Sequence, residues 1–459
     1  MTEKTKKNYE AIVAQCSPQG KGAIALLRIS GPDAIQIVTD ISRLANKKKL
    51  TDQPTHTIHF GTVIDKNGKS IDQVLFLLMH SPKTFTGENT VEITTHNNQF
   101  IVSAIIERAI QAGARLAQEG EFSKRAFLNG KLDLNQAEAI NELIHAQTQQ
   151  ALKTSLQQIE GSLSHKIKGL EEKLLESLAL SESSFEFIED EQIEFSDQIK
   201  SIVKKITVDI ENLKKSYDQQ KQIREGIRIA LIGSVNAGKS SLFNLLLNKK
   251  RSIVTKIPGT TRDVIEAGQY SNGTYITLVD TAGLRKTDDK IEQEGIKRSM
   301  EQAELADLIL LVIDGSKALT EQENKIYREI VERFDKKLIF VQNKIDLVKK
   351  SLQTDSKTIL ISCKNKKNID KLIKKIDAKI ETLFSSLASP FLLNQRQYNK
   401  LIPFQKHLEL ALQNLKNQPA YELVSFHLKK ALEQLAELSG KTINLKVVDK
   451  IFSQFCIGK

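Results

Sequence analysis

Tryptophan is absent, and aromatic residues make up only 5% of the 459-residue chain, although a hydrophobic content of 40% is enough for packed cores. No apolar run approaches the ~18 to 20 residues that a membrane-spanning helix needs. The best candidate, Leu305 to Ile313, is interrupted by Asp307. This argues against membrane association. Cysteine is scarce too: Cys16, Cys363 and Cys456 lie far apart, with neither a disulfide framework nor zinc-site spacing. The stretch Met1 to Glu10 is polar and lacks the apolar segment of a secretory signal. A reducing, cytoplasmic setting is expected. Acids are outnumbered, 56 against 67 Lys and Arg, for a net charge of +11. That excess fits an RNA partner and equally fits a lysine-rich solvated surface, because most of it is Lys spread along the whole length.

A chain of this length is expected to form two to four domains. From Ala11 to about Phe122 the pattern is α+β, with strands expected at Ala23 to Ile29 and Val74 to Met79 and a helix at Ile101 to Ala112. Further on, Leu152, Leu156, Ile159, Leu163, Ile167, Leu170, Leu174 and Leu178 recur every three or four residues, which predicts one long helix with an apolar stripe. A second stripe runs through Ile199, Ile202, Ile206, Ile210 and Leu213. Between them, Ser181 to Phe195 carries six acids and no base, which reads as a solvated turn region. From about Gly226 to Thr382, short apolar runs alternate with helical patterns: Ile227 to Ile232, Tyr275 to Val279, Leu308 to Ile313, Leu338 to Val341 and Thr358 to Ile361. Such strands indicate a mostly parallel sheet covered on both faces. After Pro390 the chain is helical again, with a stripe at Leu428, Leu432, Leu435 and Leu438. Helical sections on either side suggest that the α/β unit is inserted into one helical domain.

The α/β unit carries four nucleotide-binding motifs in order, each at a strand end. Gly233-Ser-Val-Asn-Ala-Gly238-Lys239-Ser240 is a P-loop whose main-chain N–H groups would cradle phosphates at a helix N-terminus. Lys239 would reach the β- and γ-phosphates and Ser240 would ligate Mg²⁺. Asp280-Thr281-Ala282-Gly283 supplies a carboxylate for the metal's water shell and a γ-phosphate-sensing N–H. Asn343-Lys344-Ile-Asp346 supplies a carboxylate for the N1–H and exocyclic amine of guanine, donors that adenine lacks there. Ser362-Cys363-Lys364 offers a main-chain N–H to the guanine O6. The chain is therefore expected to hydrolyse GTP. Leu284 stands where Ras-type proteins carry the glutamine that orients the attacking water, so another polar group or a partner must do that work.

Further residues carry a resemblance. Pro258-Gly259-Thr260-Thr261-Arg262-Asp263, Asn236 and the terminal Cys456-Ile457-Gly458-Lys459 resemble the MnmE (TrmE) family of bacterial tRNA-modifying GTPases. So do Ile12-Val-Ala-Gln15, Leu27-Arg28-Ile-Ser-Gly31, Thr86-Gly87-Glu88 and the stretch from Gly120-Glu-Phe122 through Arg125-Ala-Phe127 to Lys131-Leu-Asp-Leu134. The likeness covers essentially the whole chain. It implies an N-terminal α+β folate-binding and dimerisation domain (1–128), an all-α helical domain in two segments (129–222 and 383–459), and an inserted Ras-like P-loop GTPase domain (223–382). It also implies a homodimer that joins an FAD-dependent partner, MnmG (GidA), in a heterotetramer. That complex adds a carboxymethylaminomethyl-type group to C5 of the tRNA wobble uridine, with a tetrahydrofolate derivative (5,10-methylene or 5-formyl) as cofactor.

Residue by residue, the resemblance places Mg²⁺ on Ser240 and Thr261, and K⁺ on Asn236 with main-chain groups of Thr255, Ile257 and Thr260. It extends the GTP contacts to Ala237, Gly238, Ser241, Lys256, Pro258 and Gly259. Glu292 matches the catalytic glutamate, although on composition alone it is a solvated acid beside Glu294. Arg28, Glu92, Lys131 and Lys459 match folate contacts. Two readings of Cys456 stand: a nucleophile in the modification chemistry, or a small thiol buried beside Phe455, the latter preferred. Three departures are visible. His96-Asn97-Asn98 replaces His-Gly-Gly, where Asn is expected to tolerate a left-handed backbone. Gln118-Glu119 stand before Gly120 where a proline is common, which is expected to loosen that loop. Cys363 replaces an alanine. A ribosome-assembly RNA-binding GTPase is the alternative; it would be expected to append an RNA-binding module such as a KH domain, and none is evident.

Overall fold

The computed structural model describes residues 10–184, 192–249, 265–280, 299–348, 358–386, 390–416 and 419–459. They form two units: Met1–Asn141 with Gln158–Lys204 and Ile402–Lys459, and Glu142–Gln157 with Lys205–Leu401.

The first unit contains a seven-stranded sheet built from β1 (Ile12–Gln15), β2 (Ile24–Ser30), β3 (Ser42–Leu44), β4 (Thr57–Ile64), β5 (Ser70–Met79), β6 (Thr90–His96) and β7 (Arg115–Leu116), in the order β3-β4-β5-β6-β2-β1-β7. Strand alternation sorts its residues. Ala25, Leu27 and Ile29 of β2 and Val91 and Ile93 of β6 are buried in one core with the helices Ala34–Asp40 and Gln99–Gln111. Arg28 and Glu92, out of phase with these and paired in register, fall on the other face. The unit's helical part packs Ser162–Ser183 against Tyr421–Ser439 through buried Leu163, Ile167, Leu170 and Leu174 and Val424, Leu428 and Leu435. Ser181 and Ser425 share a buried hydroxyl hydrogen bond of 2.8 Å at one end.

The single long helix expected from the leucine stripe is instead two, Gln149–Ile159 and Ser162–Ser183. Gly161 separates them at φ +99°, a left-handed conformation that ends a helix. Leu152 and Leu156, the first members of the stripe, are 45% and 46% exposed. In the helix Gln192–Glu225, Val203 rather than Ile202 takes the buried position. Ser181–Ser183, read as the start of a turn region, still belong to a helix.

The second unit holds β8 (Ile227–Ile232), β9 (Ile265–Ser271), β10 (Thr274–Asp280), β11 (Leu308–Asp314), β12 (Leu338–Asn343) and β13 (Ile359–Leu360), ordered β13-β12-β11-β8-β10-β9. All neighbours are parallel except β9 with β10. β9 did not stand out in the sequence because Gly268 and Gln269 interrupt its apolar pattern. Both faces are covered, as expected. Ile229, Leu231, Leu310 and Val312 pack with the helices Lys239–Lys249 and Ile369–Ser386; Ala230, Ile232, Ile309 and Leu311 pack with Glu321–Phe334. Among the described residues, no helix is long and apolar enough to cross a membrane.

Candidate functional site

The second unit brings the described parts of all four motifs to one edge of its sheet, at the carboxyl ends of parallel strands, where α/β folds bind ligands. The P-loop follows β8 and opens the helix Lys239–Lys249. Its turn uses Asn236 at φ +62° and Gly238 at φ +95°. A Cβ on Gly238 would lie 2.2 Å from Asn343 Nδ2, so only glycine fits where the P-loop meets the base-recognition strand.

Asn343 ties three loops together. Its buried Nδ2 donates to the Ala237 carbonyl at 2.9 Å, and its Oδ1 accepts from the Cys363 N–H at 3.0 Å. One side chain thus joins the P-loop, the end of β12 and the Ser362–Lys364 loop. Asp346 accepts from the Ser362 hydroxyl at 2.6 Å, which holds its carboxyl below the usual range and keeps it an anion for guanine donors. Burial pushes the Cys363 thiol up to about 11, so it is a packed and unreactive replacement for alanine.

Lys239 is 6% exposed, and its ammonium donates to the carbonyls of Gly233 at 2.7 Å and Ser234 at 2.8 Å. Burial lowers its pKa, and the neighbouring Asp280 works against that. Asp280 is buried at the end of β10, while Ser240 and Ser241 are exposed in the first helical turn. A hydroxyl and a carboxylate form the all-oxygen donor set that magnesium prefers. Thr255, Lys256, Ile257, Pro258, Gly259, Thr260 and Thr261 lie outside the described residues, as do Thr281, Ala282, Gly283, Leu284 and Glu292.

Two supports here had been missed. Asp314, at the end of β11, receives Lys344 Nζ at 2.7 Å, fixing a lysine whose backbone is left-handed at φ +63°. Burial raises the Asp314 carboxyl, but hydrogen bonds from Lys344 and Ser316 outweigh it and bring it down. Its place at a strand end beside the P-loop strand was the available signal. Tyr327 accepts from the Ser234 N–H at 2.8 Å through its hydroxyl; nothing in the sequence marks it.

In the first unit, Arg28 pairs with Glu92 at 2.7 Å, and its guanidinium lies over the rings of Phe85 (5.7 Å) and Phe122 (5.4 Å). Lys131 Nζ donates to the Pro82 carbonyl at 3.0 Å, so the loop 82–87 serves both cations. The chain's end is docked beside them. Phe122 N–H donates to the Lys459 carbonyl at 3.1 Å, and Gly120 N–H to the Cys456 carbonyl at 3.4 Å. A Cβ on Gly120 would lie 2.3 Å from the Phe452 carbonyl oxygen. Arg28, Glu92 and Lys459 all bear electrostatically on Cys16, whose thiol is pushed up by burial with Arg28 opposing. Phe455 is buried as expected, but Cys456 is exposed, which overturns the preferred packing reading. The terminal turn seats Phe452 and Phe455 inward and leaves the thiol outside.

Beneath this region, Arg125, 2% exposed, donates to Glu88 at 3.1 Å, Glu121 at 3.0 Å and the Glu10 carbonyl at 3.0 Å. Burial works to raise the Glu121 carboxyl, but hydrogen bonds from Arg115, Gln118 N–H and Arg125 lower it to about 2. The Gln118 N–H bond, 2.9 Å, also ties the loop that lacks a proline to Glu121. Asn97 and Asn98 do not adopt a left-handed backbone. Asn98 caps the helix Gln99–Gln111 by accepting from Phe100 N–H, and Asn97 donates to the Gly20 carbonyl at 2.8 Å.

Comparison with known proteins reaches residues of both units. Residues 134–456 match the MnmE helical domain, and 11–131 match the GTP-binding protein TrmE N-terminus. A tRNA modification GTPase MnmE of Geobacillus thermodenitrificans is 38% identical over 462 residues, covering 98% of this chain and 99% of that protein. The Bacillus pumilus protein of that name is 38% identical over 465 residues, covering 98% of this chain and 100% of the other. The chain belongs to the MnmE family of GTPases. Among solved structures, the FeoB G domain of T. maritima is 29% identical over 33% of this chain and 98% of its own, with a TM-score of 0.25. Era of Aquifex aeolicus, bound to GDP and AlF4⁻, is 24% identical over 40% of this chain and 67% of its own, with a TM-score of 0.27. Family membership makes the second unit's P-loop that of a GTPase.

Proposed function

We propose that this GTPase acts in tRNA modification, adding a carboxymethylaminomethyl-type group to C5 of the wobble uridine together with an FAD-containing partner and a tetrahydrofolate one-carbon donor. Whole-length likeness to relatives named tRNA modification GTPases is the observation that carries this reading. The docked terminus supports a folate role: Arg28, stacked on two aromatic rings, and Lys459 offer positive charge for carboxylates of the cofactor's glutamate tail, and Lys131 shares the adjoining loop. Cys456, exposed in the same terminal turn as Lys459, would act as a nucleophile. The protein works in the cytoplasm as a homodimer.

For hydrolysis, Ser240 and Thr261 would hold Mg²⁺, and Asn236 with main-chain groups of Thr255, Ile257 and Thr260 would hold K⁺. These ions supply positive charge beside the transferring phosphoryl group. The left-handed turn at Asn236 and the donors Ser240 and Asp280 support that assignment. Lys239 exchanges its two loop carbonyls for phosphate oxygens, Asp346 orients the guanine, and Glu292 replaces the glutamine that Leu284 cannot mimic. G-domain pairing, with K⁺ held by Asn236, would raise turnover.

Mass spectrometry of tRNA nucleosides from a strain lacking the protein tests this function. Loss of the modified wobble uridine is expected, with restoration on complementation. Unchanged wobble nucleosides alongside a ribosome-assembly defect would overturn it in favour of an assembly GTPase.

A further inference from the structure

The positive charge is not spread evenly over the second unit. Between Lys364 and Lys379, seven lysines and two aspartates leave a net +5 in sixteen residues, close to half of the chain's +11. The fold turns this composition into a surface. Ile369, Leu372, Ile376 and Ile380 are buried at 7% exposure or less in the core beneath the sheet, which fixes the rotation of the helix Ile369–Ser386. Lys371, Lys374 and Lys375 consequently stand on its solvent side, and Lys366 and Lys367 are exposed in the turn just before it. None of these five makes an ion pair with a described carboxylate, in contrast to Lys344, Lys430 and Lys441 elsewhere.

We propose that this lysine face, Lys366 to Lys375, binds the phosphate backbone of RNA. The inference rests on the reading that the chain works on tRNA and adds the surface that holds it. Lysines four apart on a helix are roughly 6 Å apart along its axis, comparable to the distance between neighbouring phosphates of one strand. Lysine acts on phosphate as a point charge without the planar fork that reads base edges. No aromatic residue occurs between Lys364 and Lys379, so no base stacks there, and the contact is with backbone and independent of sequence. An unpaired cluster loses no internal ion pair when RNA arrives, and it gains from the release of condensed counterions.

The test measures binding of an unmodified tRNA transcript to the full chain between 50 and 200 mM salt. Replacing Lys371, Lys374 and Lys375 together by Gln is expected to weaken binding about tenfold or more at the low-salt end. It should also reduce the slope of log affinity against log salt by about two to three. Lys→Arg at the same three positions should restore both. GTP affinity of each variant, which these side chains do not touch, reports that the unit is folded. A second triple, Lys47, Lys48 and Lys49 to Gln, removes equal charge from another exposed segment. An unchanged slope in the first triple, an equal loss in the second, or absence of tRNA binding by the wild type would each overturn the proposal. So would loss of binding to a partner protein with tRNA affinity intact. Modification lost from the deletion strain together with an unchanged slope would sink only this surface. Normal wobble uridines in that strain would sink the functional reading itself.

Discussion

Replacing Gly458 by Ala tests whether the docked terminus builds a folate site. Gly458 sits at φ +90°, and a Cβ there would lie 2.6 Å from the Gln15 carbonyl oxygen and 2.8 Å from the Cys16 Cα. Both obstacles are main chain of a sheet strand and its continuation, so no flexible side chain can yield. The left-handed conformation alone costs an alanine about 1–2 kcal/mol. Undocking relieves the clash but gives up the hydrogen bond from Phe122 N–H to the Lys459 carbonyl, which favours docking equally in both proteins and drops out of the difference. A shift of about 1–2 kcal/mol lowers the docked fraction relative to the undocked by roughly 5- to 30-fold. Titration calorimetry with 5-formyl-tetrahydrofolate should show affinity weakened by up to that factor, while GTP hydrolysis stays near wild type. Hydrogen exchange at the Phe122 amide should accelerate in parallel. Full folate affinity together with a released Phe122 amide would refute the terminal contact. Unchanged protection of that amide would refute the steric argument.

Asp346→Asn should weaken GTP binding and favour xanthine nucleotide, because an amide donor would face guanine donors; unchanged GTP affinity in a calorimeter would remove Asp346 from base recognition. Turnover is expected to be slow in Na⁺ and much faster in K⁺, and equal rates in the two salts would reject the ion. Glu292→Ala should keep GTP binding and lose hydrolysis, and a fully active variant would leave Glu292 a solvated acid. The Glu121 carboxyl, held at about 2, contributes stability that is present above its ordinary 4.5 and lost as pH falls towards 2. That contribution is roughly 2 kcal/mol after discounting for solvent screening. Urea melts should therefore show Glu121→Gln less stable than wild type at pH 6, with the gap narrowing towards pH 3; a constant gap would show that the charge is not what the network holds.

The β8, β10, β11 and β12 strands were legible because buried parallel strands are written as nearly continuous apolar runs, broken here only by Arg228 and Thr277, and their motifs announced where each strand must end. Helix count was less legible. A leucine stripe keeps its period through a short break: only Glu160 and Gly161 separate the two helices, so the spacing runs on in the sequence although Leu152 and Leu156 before the break are half exposed. The P-loop, Asp280, Asn343 and Asp346 were visible because each must present a particular atom to a phosphate, a metal or a base. Their supports were not. Asp314, Tyr327 and Arg125 act through Lys344, Ser234 and Glu10, which lie 30, 93 and 115 residues away, and such contacts leave no local spacing to read. Cys456 was misjudged for a related reason: apolar neighbours signal that a terminus docks, but not which side of the final turn faces inward.

Asn343 has a consequence for how this site tolerates change. Because one amide satisfies Ala237 and Cys363 at once, the phosphate loop and the two base-recognition loops do not offer independent positions to mutation. A substitution that shifts the Ser362–Lys364 loop by a few tenths of an ångström is felt at Gly238, where no atom can be added without meeting Asn343. Changes that are each neutral in isolation should therefore interact when combined, and drift in any one of the three loops is permitted only in step with the other two.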